Sequence, residues 1–325
     1  MNDSVNWEQI NFTIYGSLGI FNTTLLLCIF FLYIVSLCIN LFLVLVICTE
    51  ARLYSRPMYM LLVNLCLSGV VGSSLMCPNI IHHLLHHGQP VFLQGCLTQA
   101  FFTNIYSGSI FCNLALMAYD RYVSICKPLL YHSIMTPGRV GLMLLVVYVV
   151  LSCSSGVQVN LITRLQLCGN KVNKLICDSL VVSNLSCRRT TVISVYGLCC
   201  AVGFIMLPCG LVILSYVHIF SVVLKKSRHS QSRALQTCTP HLVTFVNFSV
   251  ASFFGVIYNR LSSDLPIVVN IVVSINFFVI PPLLHPIIYG IKMKAIRQSM
   301  KQMKNLLFCS RSHLNADNLQ ITVLD

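Results

Sequence analysis

Seven separate stretches of this chain are long and apolar enough to cross a bilayer, and nothing else in the sequence restricts its fold so severely. A helix needs about 20 mainly apolar residues to span the hydrocarbon core. Windows meeting that requirement lie near 25–48, 58–84, 97–119, 139–161, 193–224, 238–259 and 266–290. Composition agrees, since only 9% of the 325 residues are charged and 56% are hydrophobic, whereas a soluble domain carries roughly 25% charged residues. The expected fold is an all-α membrane protein, a seven-transmembrane helix bundle with a short amphipathic helix after the last span. With no internal repeat or linker, it divides into an outer, glycosylated segment 1–24, a seven-span domain 25–290 and a cytoplasmic helix and tail 291–325. Residues 1–24 hold Asp3 and Glu8 but no Lys or Arg, so no secretory signal is read there and the first span serves as an uncleaved anchor.

The formal charge of +13 raises the question of nucleic acid, and the placement of the charge answers it. With the N-terminus outside the cell, Arg52, Arg56, Arg121, Lys127 and Arg139 fall inside. So do Lys225, Lys226, Arg228 and Arg233, and after the last span Lys292, Lys294, Arg297, Lys301, Lys304 and Arg311. The outer face keeps only Arg164, Lys171, Lys174, Arg188, Arg189 and Arg260, which is the asymmetry of a plasma-membrane protein with its basic loops in the cytosol. Glycosylation triplets at Asn2, Asn11, Asn22 and Asn184 all lie on the predicted outer side. A single triplet is weak, as Asn247-Phe248-Ser249 inside a span demonstrates. From 292 to 308, Lys292, Lys294, Arg297, Lys301 and Lys304 alternate with Met293, Ile296, Met300, Met303, Leu306 and Leu307, the pattern of a helix on an anionic leaflet. The charge is thus a signal of topology and of lipid contact, and no nucleic-acid partner is expected.

At the inner end of span three stands Met117-Ala118-Tyr119-Asp120-Arg121-Tyr122-Val123-Ser124-Ile125-Cys126-Lys127-Pro128-Leu129. Asp120 beside Arg121 at a helix end is a partly desolvated pair that can break and re-form, which suits a two-state latch. It equally suits an ordinary helix-end pair. Its surroundings decide, because the stretch resembles the signature of the odorant receptors, a branch of the rhodopsin-like G-protein-coupled receptors. Pro57-Met58-Tyr59 opening span two, Ser232-Arg233-Ala234-Leu235-Gln236-Thr237-Cys238-Thr239-Pro240-His241-Leu242 entering span six and Pro282-Leu283-Leu284-His285-Pro286-Ile287-Ile288-Tyr289 closing span seven match as well. The resemblance runs from about Asn40 to Arg297 and looks closest to the fish-type members.

That resemblance implies a receptor that binds a small odorant near the outer end and activates a heterotrimeric G protein of the stimulatory, olfactory type inside. Asp120, Arg121, Tyr122 and Tyr289 would carry activation. Ligand would meet Thr103, Asn104 and Ser107 on span three, and Ser252, Phe253, Val256 and Arg260 on span six. The first three share one helix face by their i, i+3 and i, i+4 spacing, although each could equally glue helices together. Arg260 suits a carboxylate-bearing ligand through two parallel hydrogen bonds, or else pairs with Asp264 at the rim. Four outer cysteines allow three connectivities; the resemblance implies Cys96–Cys177 and Cys168–Cys187, folding a long loop over the pocket either as a lid or as a plain staple.

The chain departs from the family pattern in three places. Gly69 stands where an Asp usually takes part in a sodium site, Ile110 stands where a Glu often lies, and His285 replaces the Asn of the span-seven motif. No sodium site is therefore expected, and His285 is either a neutral hydrogen-bonded residue or a titrating switch. His82, His83, His86 and His87 include i, i+4 pairs able to hold zinc or copper, but with two ligands per face and no nearby carboxylate they read as a solvated rim; no metal or cofactor is expected. Transport is disfavoured by the absence of repeat symmetry and of mid-membrane acids. Intramembrane catalysis is disfavoured by the absence of a His-Glu-x-x-His motif or of paired carboxylates. A non-odorant rhodopsin-like receptor would be expected to keep a Trp in span six, where Ser249 stands, and the intact Asn-Pro motif.

Overall fold

The structure, a computed structural model, describes residues 9–12, 20–85, 90–169, 171–172, 177–187, 191–261 and 267–303. Lipid offers no hydrogen bonds, so a chain crossing it must satisfy its backbone internally, and the helix is the local solution. Seven helices are long and apolar enough to cross. They are α1 (Ile20–Thr49), α2 (Pro57–Leu85), α3 (Leu93–Cys126), α4 (Pro137–Thr163), α5 (Thr191–Val223), α6 (Arg228–Leu261) and α7 (Ile267–Phe278, resuming at Ile280–Lys292). A further helix, α8, covers 294–303. Several run beyond their apolar windows, most of all α6, because a helix leaving the hydrocarbon no longer needs apolar side chains to continue.

α3 is the axis of the bundle, packed against α2, α4, α5 and α6, while α1 lies on α2 and α7. Only 17% of the apolar window of α4 and of α5 is buried in the protein, against 56% in α2 and 50% in α3, which places α4 and α5 at the lipid-facing periphery. The largest core cluster joins Leu61, Leu62 and Leu65 of α2 to Phe111 and Leu114 of α3, Phe248 of α6 and Tyr289 of α7. Ile296 of α8 is wholly buried against it, with Lys294, Arg297 and Lys301 left exposed, so α8 turns part of its apolar face to the bundle.

α7 contains Pro281, Pro282 and Pro286, each of which removes an N–H from the helical ladder and frees the carbonyl four residues earlier. Two of those carbonyls are recovered from other helices. The hydroxyl of Tyr106 in α3 donates to the Phe277 oxygen, freed by Pro281, at 3.3 Å. The amide of Asn40 in α1 donates to the Pro282 oxygen, freed by Pro286, at 2.8 Å. The break at Val279 is thus held from two sides. In α5 the residues before Pro208 relax into a wider π turn, Val202–Met206, which makes room for the ring. α4 starts on Pro137, with the Thr136 hydroxyl accepting from the Arg139 N–H.

A small sheet not anticipated from the sequence lies outside the bundle. β1 (Gln9–Phe12) sits between β2 (Pro90–Phe92), antiparallel to it, and β3 (Lys171–Val172), parallel to it. Such short strands carry no periodic signal, and their partners are far away in sequence.

Candidate functional site

A largely buried ion pair lies near the end of α3. Asp120 is fully buried, and its carboxylate accepts two hydrogen bonds: from the Arg121 guanidinium at 2.8 Å and from the Tyr131 hydroxyl at 2.8 Å. Tyr131 opens a one-turn helix, Tyr131–Ile134, in the α3–α4 connection. Burial, and then the negative charge of Asp120, push its phenol above the ordinary value, so it stays a donor at any physiological pH. The guanidinium also touches the Met58 sulfur of α2. Arg121 remains 14% exposed, so only the carboxylate is withdrawn from solvent. Next to it, Tyr122 packs edge-on against His218 of α5, with the Lys127 ammonium 5.8 Å from its ring.

Near this pair a single imidazole joins three helices. His241 of α6 lies 2.9 Å from the Leu114 carbonyl of α3 through Nε2 and 2.9 Å from the Tyr216 hydroxyl of α5 through Nδ1. A carbonyl only accepts, so Nε2 carries the hydrogen and Nδ1 accepts from the tyrosine. One neutral tautomer satisfies both contacts. Tyr289 and His285 of α7 are buried nearby in the core, and the Tyr289 hydroxyl and His285 Nε2 find no partner among the described residues. Near this region Gly69 packs directly under Pro282, where an added Cβ would stand 3.0 Å from the proline Cβ. The place of the missing acid is therefore taken up by contact between α2 and α7.

At the opposite end, Cys96 of α3 is bonded to Cys177 and Cys168 to Cys187, with Cα separations of 5.1 and 4.9 Å. The first bond ties the loop to α3. The second closes a turn around the short helix Ser179–Asn184, which is capped by the Asp178 carboxylate accepting from the Val181 N–H. Asn104 donates to the Gln158 carbonyl of α4 at 3.0 Å and to the Ser179 hydroxyl of that loop at 3.2 Å. It therefore joins α3 to α4 and the loop. Thr103 donates to the Gln99 carbonyl within its own helix, and Ser107 is half-buried. On α6, Ser252 is buried and bonds back to the Phe248 carbonyl, whereas Phe253 and Val256 are 40% and 42% exposed. The Arg260 side chain, Asp264, Asn2, the side chains of Asn11 and His83, and His86 and His87 lie outside the described residues. Asn184 and His82 are exposed, and no group of three metal-ligating side chains occurs among the described residues. Tyr131, Tyr216 and the role of His241 were not apparent from sequence, because their contacts join separate elements.

A family model described as olfactory receptor matches residues 27–307. Human olfactory receptor 10J5 is 32% identical over 290 residues, covering 88% of this chain and 92% of its own length. Human olfactory receptor 10J1 is 35% identical over 276 residues, 83% of each chain. Human olfactory receptor 4K3 is 34% identical over 283 residues, 84% of this chain and 85% of its own. These relatives are mammalian and give no support to the fish-type placement.

Proposed function

The chain belongs to the olfactory receptor family, and from that premise we propose that odorant binding at its Cys96 end releases the Asp120–Arg121–Tyr131 latch at the other. It is a multi-pass plasma-membrane receptor for odorants that couples to a G protein, and it is not an enzyme. In our reading the Cys96 end is extracellular, with glycans at some of Asn2, Asn11, Asn22 and Asn184, and the basic Arg121 end faces the cytosol. The domains are then an outer N-terminal segment, the seven-span domain and a cytoplasmic tail that begins with α8. The G protein is of the stimulatory, olfactory type.

The observation that supports this most strongly is the doubly bonded, fully buried Asp120 carboxylate next to a partly exposed arginine. In the resting arrangement Asp120 holds Arg121 aside, and His241 holds α6 against α3 and α5. If the inner end of α6 moves out, the Leu114 and Tyr216 contacts part, and Arg121 becomes free to meet the incoming G-protein helix. Tyr122 and Tyr289 flank that opening. An odorant drives the change only by binding the open arrangement more tightly. Tyr131→Phe removes one of the two bonds to a charged group, a contact of about 1.5–3 kcal/mol. Basal nucleotide exchange on the G protein should therefore rise severalfold without added odorant. Unchanged basal exchange would refute the resting role given to Tyr131.

The odorant pocket is drawn from Thr103, Ser107, Ser252, Phe253, Val256 and Arg260, with Asn104 shaping its wall from the α4 side. Arg260 favours a carboxylate-bearing odorant through a bidentate pair. Arg260→Ala is expected to abolish responses to acids while sparing any response to neutral alcohols. Equal potency of acids on both proteins would remove the residue from the pocket.

A further inference from the structure

A groove of about 440 Å³ runs along the outside of the bundle at the Cys96 end, between the first turns of α3 and the last turns of α4. Gln94, Leu97, Thr98 and Phe101 line one side, and Gly156 and Val159 the other. We propose that this groove binds a membrane sterol, its ring body against Leu97, Phe101, Gly156 and Val159 and its hydroxyl between Gln94 and Thr98. Leu97 and Thr98 follow Gln94 by three and four positions and Phe101 by seven, one stripe of a helix extending about 10 Å from the helix end into the membrane. Gly156 lies seven residues before the end of α4 and lines the groove together with Phe101.

Three features select this occupant. The groove continues the lipid-facing surface of α4, where Leu142, Leu145, Val149 and Val157 are all exposed, so the bilayer is what reaches it. Its polar end is uncharged: Gln94 and Thr98 suit a hydroxyl, whereas a phospholipid head would need a cation, and Arg164 at the end of α4 is turned to Asn160 at 3.0 Å. Finally, Gly156 leaves a smooth wall with nothing within 4 Å of an added Cβ, while the Phe101 ring meets that of Phe102 edge-on at 5.2 Å. A flat, rigid body fits between a missing side chain and an aromatic ring. Leu97 and Val159 also belong to the cluster around Cys96 and Cys177, so an occupant there would brace the disulfide-pinned loop.

The test uses the full-length receptor in cell membranes with a photoreactive cholesterol analogue. Label is expected on the α3 peptide containing Gln94 to Phe101, competed by cholesterol and not by phosphatidylcholine. It should be lost in Gly156→Phe, which fills open space and so should still reach the cell surface. Added cholesterol should raise the thermal midpoint of the solubilised wild type and not that of Gly156→Phe. Gln94→Leu with Thr98→Val, which alter exposed residues, should weaken labelling independently. Label that persists in Gly156→Phe, or that phosphatidylcholine competes equally, would overturn the proposal.

Discussion

Arg121→Ala is expected to reach the cell surface and to lose odorant-driven G-protein activation by roughly tenfold or more, the effect of removing a contact worth about 1.4 kcal/mol or above in the signalling arrangement. Delivery should survive because the apolar spans and the loop charges set the topology, and one partly exposed side chain among them changes neither. Stability should fall as well, since the buried Asp120 loses its cation. Breaking a fully buried pair costs about 3–5 kcal/mol, but Arg121 is partly exposed and Tyr131 still donates to the carboxylate, so the loss should be smaller. Arg121→Lys separates charge from shape: it keeps the cation without the planar fork and should signal weakly. Full signalling from Arg121→Ala at matched surface density, read as nucleotide exchange on the G protein, would contradict the latch.

The second large effect is on folding. Replacing Cys96 and Cys177 together by Ser should leave most of the receptor inside the cell, with a stability loss of roughly 2–5 kcal/mol. The pair joins α3 to a loop 81 residues away, and the cluster of Leu97, Ile162, Val181 and Val182 packs around it. Changing both residues avoids a lone thiol that could mispair in an oxidising compartment. Replacing Cys168 and Cys187 opens a span of only 19 residues and should cost less. Comparison of cell-surface to total receptor for the two double variants measures the difference. Equal losses would mean that the tether to α3 contributes no more than the turn closed by Cys168 and Cys187.

The spans were legible because hydropathy is a local sum over about 20 residues. Their ends were not: α6 begins at Arg228, where polar residues continue a helix that no longer needs lipid. The prolines of α7 were visible as interruptions, but the Asn40 and Tyr106 side chains that repair them lie 242 and 171 residues away in sequence from the carbonyls they satisfy. Spacing placed Thr103, Asn104 and Ser107 on one face of α3 without saying which helix lies opposite, and Asn104 turns out to meet α4 and the loop. Asp120 and Arg121 were recognisable as a pair of neighbours. Tyr131, which gives Asp120 its second hydrogen bond, sits in a connection whose fold no periodic pattern encodes.

All of these roles presuppose that the latch faces the cytosol. Epitope tags at the two termini of the wild-type receptor, read by antibody in intact and in permeabilised cells, test that directly. The expected result is an amino-terminal tag bound in intact cells and a carboxy-terminal tag bound only after permeabilisation. Binding of the carboxy-terminal tag in intact cells, or of both tags on the same side, would place Arg121 where no G protein can reach it or break the count of seven crossings.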